Sequence, residues 1–447
     1  MEFTQLTPED VTAMLSRLKA DSVEDLYRTV PSEIRLGRPL ELPRALSEPE
    51  LLAALRRLSD ANRPATRQTC FLGAGAYDHF IPTVVDAMAA RGEFVTAYTP
   101  YQAEASQGAL QAFYEYQTMI CRLTGMEVSN ASLYEGASAA AEAAIMAWHV
   151  SDKTRVVVSS ALHPDTRAVL ETYTRDLPLS LHAVDCPAGQ TDTTGLATAV
   201  DGDTAAVLVQ TPNFYGVIEP LDEIARIAHD AGAMLIVAVD PISCGLLKPP
   251  GAFGADIVVG EGQALGIPLQ YGGPYLGFLA CRREHLRQVP GRLVGLTHDA
   301  DGRRGFCLTL QTREQHIRRE RATSNVCTNQ GLMALRAAVY LATVGRRGLS
   351  GIARRCLDKA HYAADRIAAL DGFELAFADA PFFKEFAVRS RRRPVADVLA
   401  TARERGVLAG VPLNRWCDRL DDCFLVAVTE KRTKAEIDTL VDALAWA

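Results

Sequence analysis

The sequence predicts an α/β protein: a mainly parallel, doubly wound sheet, preceded by a helical arm and followed by a smaller α+β domain. Three observations predict it. Between residues 127 and 281, apolar runs of strand length alternate with helix-length segments, which is the pattern of βαβ units. The run Met234–Val239 closes on Asp240, as a buried parallel strand does when it delivers a carboxylate to the sheet's carboxyl edge. From about Gly331 the alternation stops, and helical segments, short strands and a final helix follow.

Composition bounds the function. A chain of 447 residues holds two or three domains at roughly 150 residues each. The expected divisions are an arm at 1–65, a large domain at 66–330 and a small domain at 331–447. Apolar residues make up 48% and charged residues 23%, an ordinary globular balance. The formal charge is −7 with no basic tract, which argues against nucleic acid as a partner. Ten cysteines include no C-x-x-C pair; they read as reduced thiols of a cytoplasmic protein, not as a disulfide or zinc framework. The N-terminus, MEFTQLTPEDV, lacks the basic and apolar regions of a signal peptide. No apolar run nears the ~20 residues that span a bilayer, so no membrane partner is expected.

In the arm, Thr7-Pro8-Glu9-Asp10 reads as an N-cap, a Pro at the first helical position and acids in the first turn. A second helix is expected from Ser47. The arm packs on its own chain or wraps a partner subunit. In the segment 71–82, FLGAGAYDHFIP, His79 reads as structural, because no metal-ligand spacing surrounds it. Tyr98-Thr99-Pro100-Tyr101-Gln102 is a loop, and a helix runs from Glu104 to Leu123, stopping at Gly125. Tyr98 and Tyr101 are surface packing or a lip over a pocket, since a tyrosine has an apolar body and a polar tip.

Strands are expected at Glu127–Ala131, Arg155–Ser159, Leu181–Val184, Thr204–Gln210, Met234–Val239, Asp256–Val259 and Leu276–Cys281. Helices separate most of them, at Gly136–His149, Asp165–Arg175 and Leu221–Ala231. At the start of the first, Gly136 and Ser138 suit an anion, because free backbone N–H groups and the positive dipole end point at it; they also suit a plain cap. Further on, Arg313, Arg318, Arg319 and Arg321 form a basic run, with Glu314 placed for an i,i+4 pair to Arg318. Such a run is a solvated face or an anion contact. Thr323, Ser324 and Asn325 then group three short polar side chains that cap a helix or hold an anion. In the small domain, helices are expected at Leu332–Val344, Ile352–Leu370 and Lys434–Leu444, with strands at FELAF, EFAVRS and CFLVAVTE.

In open α/β sheets, ligands bind at the carboxyl edge. Pyridoxal-phosphate (PLP) enzymes of the aspartate-aminotransferase fold place an Asp there for the pyridinium nitrogen, and further along a Lys for the Schiff base. Asp240 fits the first role. The second position, in GEGQALGIPLQYGGP, holds Gln263, which has no nucleophilic amine. The nearest lysine, Lys248, lies on the wrong side of Asp256.

Long strings across the chain carry a resemblance: FLGAGAYDHFIP, YTPYQAEASQGALQ, TGMEVSNASLYEGASAAAEA, QYGGPYLGF and TREQHIRRERATSNVCTNQ. Together they resemble glycine dehydrogenase (decarboxylating), the P-protein of the glycine cleavage system. Within it they are similar to the N-terminal half, in many bacteria a separate subunit 1. The resemblance implies the PLP-dependent transferase fold (fold type I) and an α2β2 heterotetramer with a lysine-bearing subunit 2. It implies decarboxylation of glycine and transfer of the aminomethyl group to lipoyl-lysine of the H-protein. It also implies that the other half carries the Schiff-base lysine where this chain has Gln263, so that PLP is bound covalently by the partner. Thr323, Ser324 and Asn325 are then expected to reach the partner's PLP phosphate, and Tyr98, Tyr101, Gln102 and Glu104 to edge its active site. Asp240, Gly136 and Ser138 become remnants of this chain's own site, with Asp240 satisfied by neighbouring backbone. Two other readings stay open: a stand-alone PLP enzyme using Lys248, and a regulatory or scaffolding module on an enzyme fold.

Overall fold

The computed structural model describes residues 5–446, so the first four residues of the expected arm lie outside it. Contacts divide the chain between Arg63 and Pro64. In the first unit, α1 (Pro8–Leu18) opens on a reciprocal cap: Asp10 N donates to Thr7 Oγ1 at 3.2 Å and Thr7 N to Asp10 Oδ2 at 2.9 Å. α2 (Glu48–Asp60) opens likewise, with Ser47 N donating to Glu50 Oε2 at 2.8 Å.

The second unit begins with β1 (Thr69–Cys70), α3 (Thr83–Ala89), α4 (Gly92–Val95) and α5 (Gln107–Thr124). The body follows as β2 (Val128–Ser129), α6 (Gly136–Ser151), β3 (Arg155–Ser159), α7 (Pro164–Thr174), β4 (Ser180–Val184), α8 (Thr193–Ala199), β5 (Thr204–Thr211), α9 (Leu221–Asp230), β6 (Met234–Val239), β7 (Ile257–Glu261) and β8 (Gly277–Cys281). These strands form one seven-stranded sheet in the order β2-β8-β7-β6-β5-β3-β4. β4, β3, β5, β6 and β7 run parallel, and β8 runs against β7. Both faces are covered, which is why β5 and β6 read as unbroken apolar runs. Leu235, Val237 and Val258 enter one core, and Ile236, Ile257 and Val259 the other, where α6 presents a face of alanines.

Next come β9 (Leu293–His298) and β10 (Arg304–Thr309), an antiparallel hairpin that the sequence reading passed over. Its signal was Asp301-Gly302, where the glycine turns at φ +77°. After α10 (Gln315–Arg318), α11 runs from Gly331 to Ala368. The two helices expected there are consecutive halves of it, broken only at Gly345, whose φ of +58° and ψ of −178° interrupt the helical turn. The remaining elements are β11 (Phe373–Leu375), β12 (Glu385–Ser390), α12 (Val395–Glu404), β13 (Val407–Leu408), β14 (Val411–Pro412), β15 (Cys423–Ala427) and α13 (Lys434–Ala445). β11, β12, β15 and β14 make an antiparallel sheet, and β13 pairs with β1. The junction between the sheets matters most for the site: β12 begins beside the carboxyl ends of β5, β6 and β7.

Candidate functional site

The carboxyl ends of β5, β6 and β7 bring Gln210, Asp240 and Glu261 to a cavity of about 290 Å³. Tyr77, His163 and Lys384-Glu385 complete its wall. Asp240 Oδ1 accepts from Ile242 N at 3.0 Å, and its Oδ2 lies 2.7 Å from Lys384 Nζ. Asp240 is thus paired with a buried lysine, not satisfied by backbone alone. No local pattern could mark Lys384, because it precedes β12 of the antiparallel sheet and meets Asp240 only when the two sheets adjoin. Its ammonium also sits 2.9 Å from His79 Nε2 and 3.7 Å from the centre of the Tyr77 ring. His79 passes the contact on, its Nδ1 lying 2.6 Å from Glu430 Oε2. Burial pushes the Glu430 carboxyl up, but His79 and the N–H of Phe80 outweigh it and hold it at about 2. His79 thereby links Lys384 in the cavity wall to Glu430, which follows β15.

Lys248 does not take part. It is exposed and lies 4.0 Å over the Phe253 ring. The displaced-lysine reading loses its candidate.

Gln263 is 2% exposed, and its amide is fully used. Its Oε1 accepts from Tyr77 N at 2.9 Å; its Nε2 donates to Tyr77 O at 3.1 Å and Ile267 O at 2.8 Å. It pins the 71–82 segment as a strand partner would.

At the N-terminus of α6, the expected anion cup is filled from within. Glu135 caps the helix, accepting from Ser138 N at 2.7 Å. Gly136 N donates to Glu261 Oε2 at 3.0 Å, while Glu261 Oε1 accepts from Gln263 N at 2.9 Å and Leu276 N at 3.0 Å. A Cβ on Gly136 would stand 3.0 Å from Glu261, so the glycine is there for close approach. Burial pushes Glu261 up to about 7, against the pull of those three amides. The sequence showed Glu261 as an acid at a strand end, the same signal as Asp240, but it was not singled out.

Glu385 mirrors this arrangement on the opposite wall. It accepts from Ala74 N at 2.7 Å and Tyr77 Oη at 2.8 Å, and burial raises it to about 7. Gly216, at φ +83°, lets the chain run against Glu385, where a Cβ would collide with its carbonyl oxygen. His163 caps α7, accepting from Asp165 N on Nδ1 at 3.1 Å and facing Ala74 O through Nε2 at 2.9 Å. Burial lowers its pKa, consistent with a neutral ring protonated on Nε2.

A second cluster gathers the remaining candidates around Arg292, a residue the sequence did not mark. Arg292 is 5% exposed. It donates to Asn329 Oδ1 at 3.0 Å, Cys327 O at 3.0 Å and Tyr101 Oη at 3.2 Å. It thereby ties the 98–104 loop to the 323–330 segment. Glu314 lies 3.9 Å from Arg292 and 3.5 Å from His316, instead of pairing with Arg318. Arg313 leaves the solvated run: it is partly buried, and it donates to the carbonyls of Leu310, Gly291 and Val289. Burial lowers its pKa. Arg318, Arg319 and Arg321 are exposed. Ser324 Oγ accepts from Val326 N at 3.0 Å, and burial raises the nearby Glu142 carboxyl to about 7. Thr323 is half-buried and Asn325 exposed; Gln102, Glu104, Tyr101 and Tyr98 are also exposed, Tyr98 to 83%.

The strand order and the carboxyl-edge cavity are those of the large domain of fold type I PLP-dependent enzymes. Of that fold is a C-DES mutant whose structure has glycine covalently linked to the PLP cofactor: it matches at TM-score 0.63, with 15% identity over 85% of this chain and 97% of its own. The family model for the glycine cleavage system P-protein matches residues 2–444, and this chain belongs to that family. A probable glycine dehydrogenase (decarboxylating) subunit 1 from Carboxydothermus hydrogenoformans is 51% identical over 444 residues, 99% of each chain. A crystal structure of glycine decarboxylase (P-protein) of the glycine cleavage system, in inhibitor-bound form, superposes at TM-score 0.92, with 44% identity across the whole of both chains.

The cavity does not fit PLP. Gln263 offers a fully bonded amide and no amine, the N–H groups that open α6 are held by carboxylates, and Asp240 is paired with an ammonium. Among the described residues, no helix is long and apolar enough to cross a membrane.

Proposed function

We propose that this chain is the subunit of a decarboxylating glycine dehydrogenase that lacks the Schiff-base lysine and completes the reaction centre of a lysine-bearing subunit 2, in a cytoplasmic α2β2 heterotetramer. One observation supports the reading: Gln263, the residue read in place of the Schiff-base lysine, is buried with both sides of its amide bonded, and an amide cannot form the Schiff base. PLP, bound covalently by the partner, supplies the electron sink for glycine decarboxylation. The aminomethyl group passes to lipoyl-lysine of the H-protein.

In this reading the cluster around Arg292 is the working surface. Thr323, Ser324 and Asn325 donate to the partner's PLP phosphate. Tyr98, Tyr101, Gln102 and Glu104 edge the glycine pocket or the H-protein channel. The support is that a buried arginine holds both groups of residues together while leaving Tyr98, Gln102, Glu104 and Asn325 exposed.

The test is reconstitution. Glycine turnover is expected only when the lysine-bearing chain is added, and activity of this chain alone ends the proposal. Thr323→Val is expected to weaken PLP binding in the heterotetramer by about tenfold or more, since a charge-assisted hydrogen bond is worth roughly 1.5–3 kcal/mol. Unchanged affinity removes Thr323 from the site.

A further inference from the structure

We propose that this chain carries, in its own side chains, the charge pattern of the cofactor its cavity cannot take: Lys384 stands in for the protonated ring nitrogen, and Glu261, with Glu135, for the phosphate. This rests on the proposed function and deepens it, since it states what became of the second cofactor position in a pair of related subunits.

The two ends of PLP have opposite charge and call for opposite partners. A pyridinium nitrogen needs a carboxylate, and a phosphate needs N–H groups at a helix N-terminus. Both partners are present here, and both are taken. Asp240 ends β6 at the sheet edge, and the cation on it is Lys384 Nζ at 2.7 Å. The anion at the N-terminus of α6 is Glu261, held by Gly136 N at 3.0 Å, with Glu135 on Ser138 N at 2.7 Å. The sign of charge matches the cofactor at each end.

The stand-ins are built in, not loosely placed. Lys384 is 2% exposed and fixed by His79 and Tyr77 as well as Asp240. Glu261 takes two further amides, Gln263 N and Leu276 N. Gln263 closes the third position by satisfying both polar atoms of its own amide on backbone. A phosphate entering the cup would meet two carboxylates at contact distance in a low-dielectric wall, and like charges there repel strongly.

Two variants each vacate one position, and each has a matching rescue. Glu261→Ala orphans three amides, so its melting temperature is expected to rise when inorganic phosphate replaces chloride at equal ionic strength. Lys384→Met leaves Asp240 unpaired and is expected to be stabilised by pyridoxal, which has the ring nitrogen and no phosphate, but not by inorganic phosphate. The wild-type chain is expected to respond to neither and to lose added PLP on gel filtration. Glu261→Gln, which keeps the shape and removes the charge, is expected to bind PLP at least about tenfold more tightly than wild type.

The wild-type measurements decide the matter even if a variant fails to fold. Retention of PLP in the cavity of wild type, or borohydride fixing a pyridoxyl group onto Lys384, overturns the proposal. So does a folded Glu261→Ala or Glu261→Gln chain that treats phosphate and PLP as wild type does. These results leave the subunit's role standing. Failure of reconstitution would end that role without filling the cavity.

Discussion

The two clusters of polar side chains in the second unit are finished in opposite ways. At the sheet edge, Asp240, Glu261, Gln263, Glu385 and His163 each spend their polar atoms on the chain itself. Around Arg292, the guanidinium makes three hydrogen bonds but leaves its buried Nε without a hydrogen-bond partner, and Tyr98, Gln102, Glu104 and Asn325 are exposed. Buried polar groups cost free energy unless they are paired. Polar groups buried without a ligand must therefore be paired internally. The first cluster has been closed that way, whereas the second keeps polar and aromatic tips available to another molecule.

The sharpest way to break this contrast is Lys384→Met. It strands Asp240 in a buried wall and cuts the contact to His79, and removing one partner of a buried pair costs about 3–5 kcal/mol. Urea denaturation of the isolated chain should show that loss. A loss under about 1 kcal/mol would mean that water reaches Asp240 and that the cavity is not closed.

Arg292→Met attacks the other cluster. Three hydrogen bonds from a charged donor disappear, each worth roughly 1.5–3 kcal/mol before local relaxation. The expected signature is local: faster proteolysis between residues 311 and 330, and weaker PLP binding in the heterotetramer, with the sheet's amide-exchange protection unchanged. Uniform destabilisation would show that Arg292 supports the fold and not the loops.

A smaller effect reads the pairing within the sheet-edge cluster by pH. Burial raises Glu261 and Glu385 to about 7. Their folded pKa values lie above the unfolded ones, so between about pH 4.5 and 7 the folded state binds more protons, and these groups lower stability as pH rises through that window. Glu430, held at about 2, works the other way: its contribution is present above about 4.5 and is lost as pH falls toward 2. Glu261→Gln removes one of the two rising penalties. Its stability relative to wild type should therefore improve from about pH 5 to about pH 8 in urea titrations; a constant difference would mean that Glu261 is already charged at pH 5.

The smallest effect is expected at Tyr98. With 83% of it exposed, Tyr98→Ala should shift the stability of the isolated chain by no more than about 0.5 kcal/mol. Only assays with the partner and the H-protein should register it, and silence there would remove Tyr98 from the active-site edge.

Much of this architecture was legible in advance. β3, β5, β6 and β8 announced themselves because strands buried on both faces are continuous apolar runs. The Thr7 and Ser47 caps were legible because capping is decided within three residues. Asp240's place at the cavity was legible because a strand end fixes where a side chain stands. The β9–β10 hairpin was missed although Asp301-Gly302 marked it, and the charges of 313–321 were read as one run although Arg313 turns inward to bind carbonyls.

By itself, then, the sequence determined the sheet, the caps, the family and the absence of an amine at Gln263, since each is written in local periodicity or in one side chain's chemistry. Only the tertiary structure decided what Asp240 and the α6 N-terminus do now. Their partners, Lys384 and Glu261, arrive from other elements, and a buried charge is defined by whatever lies within a few ångströms in space, whatever its distance along the chain.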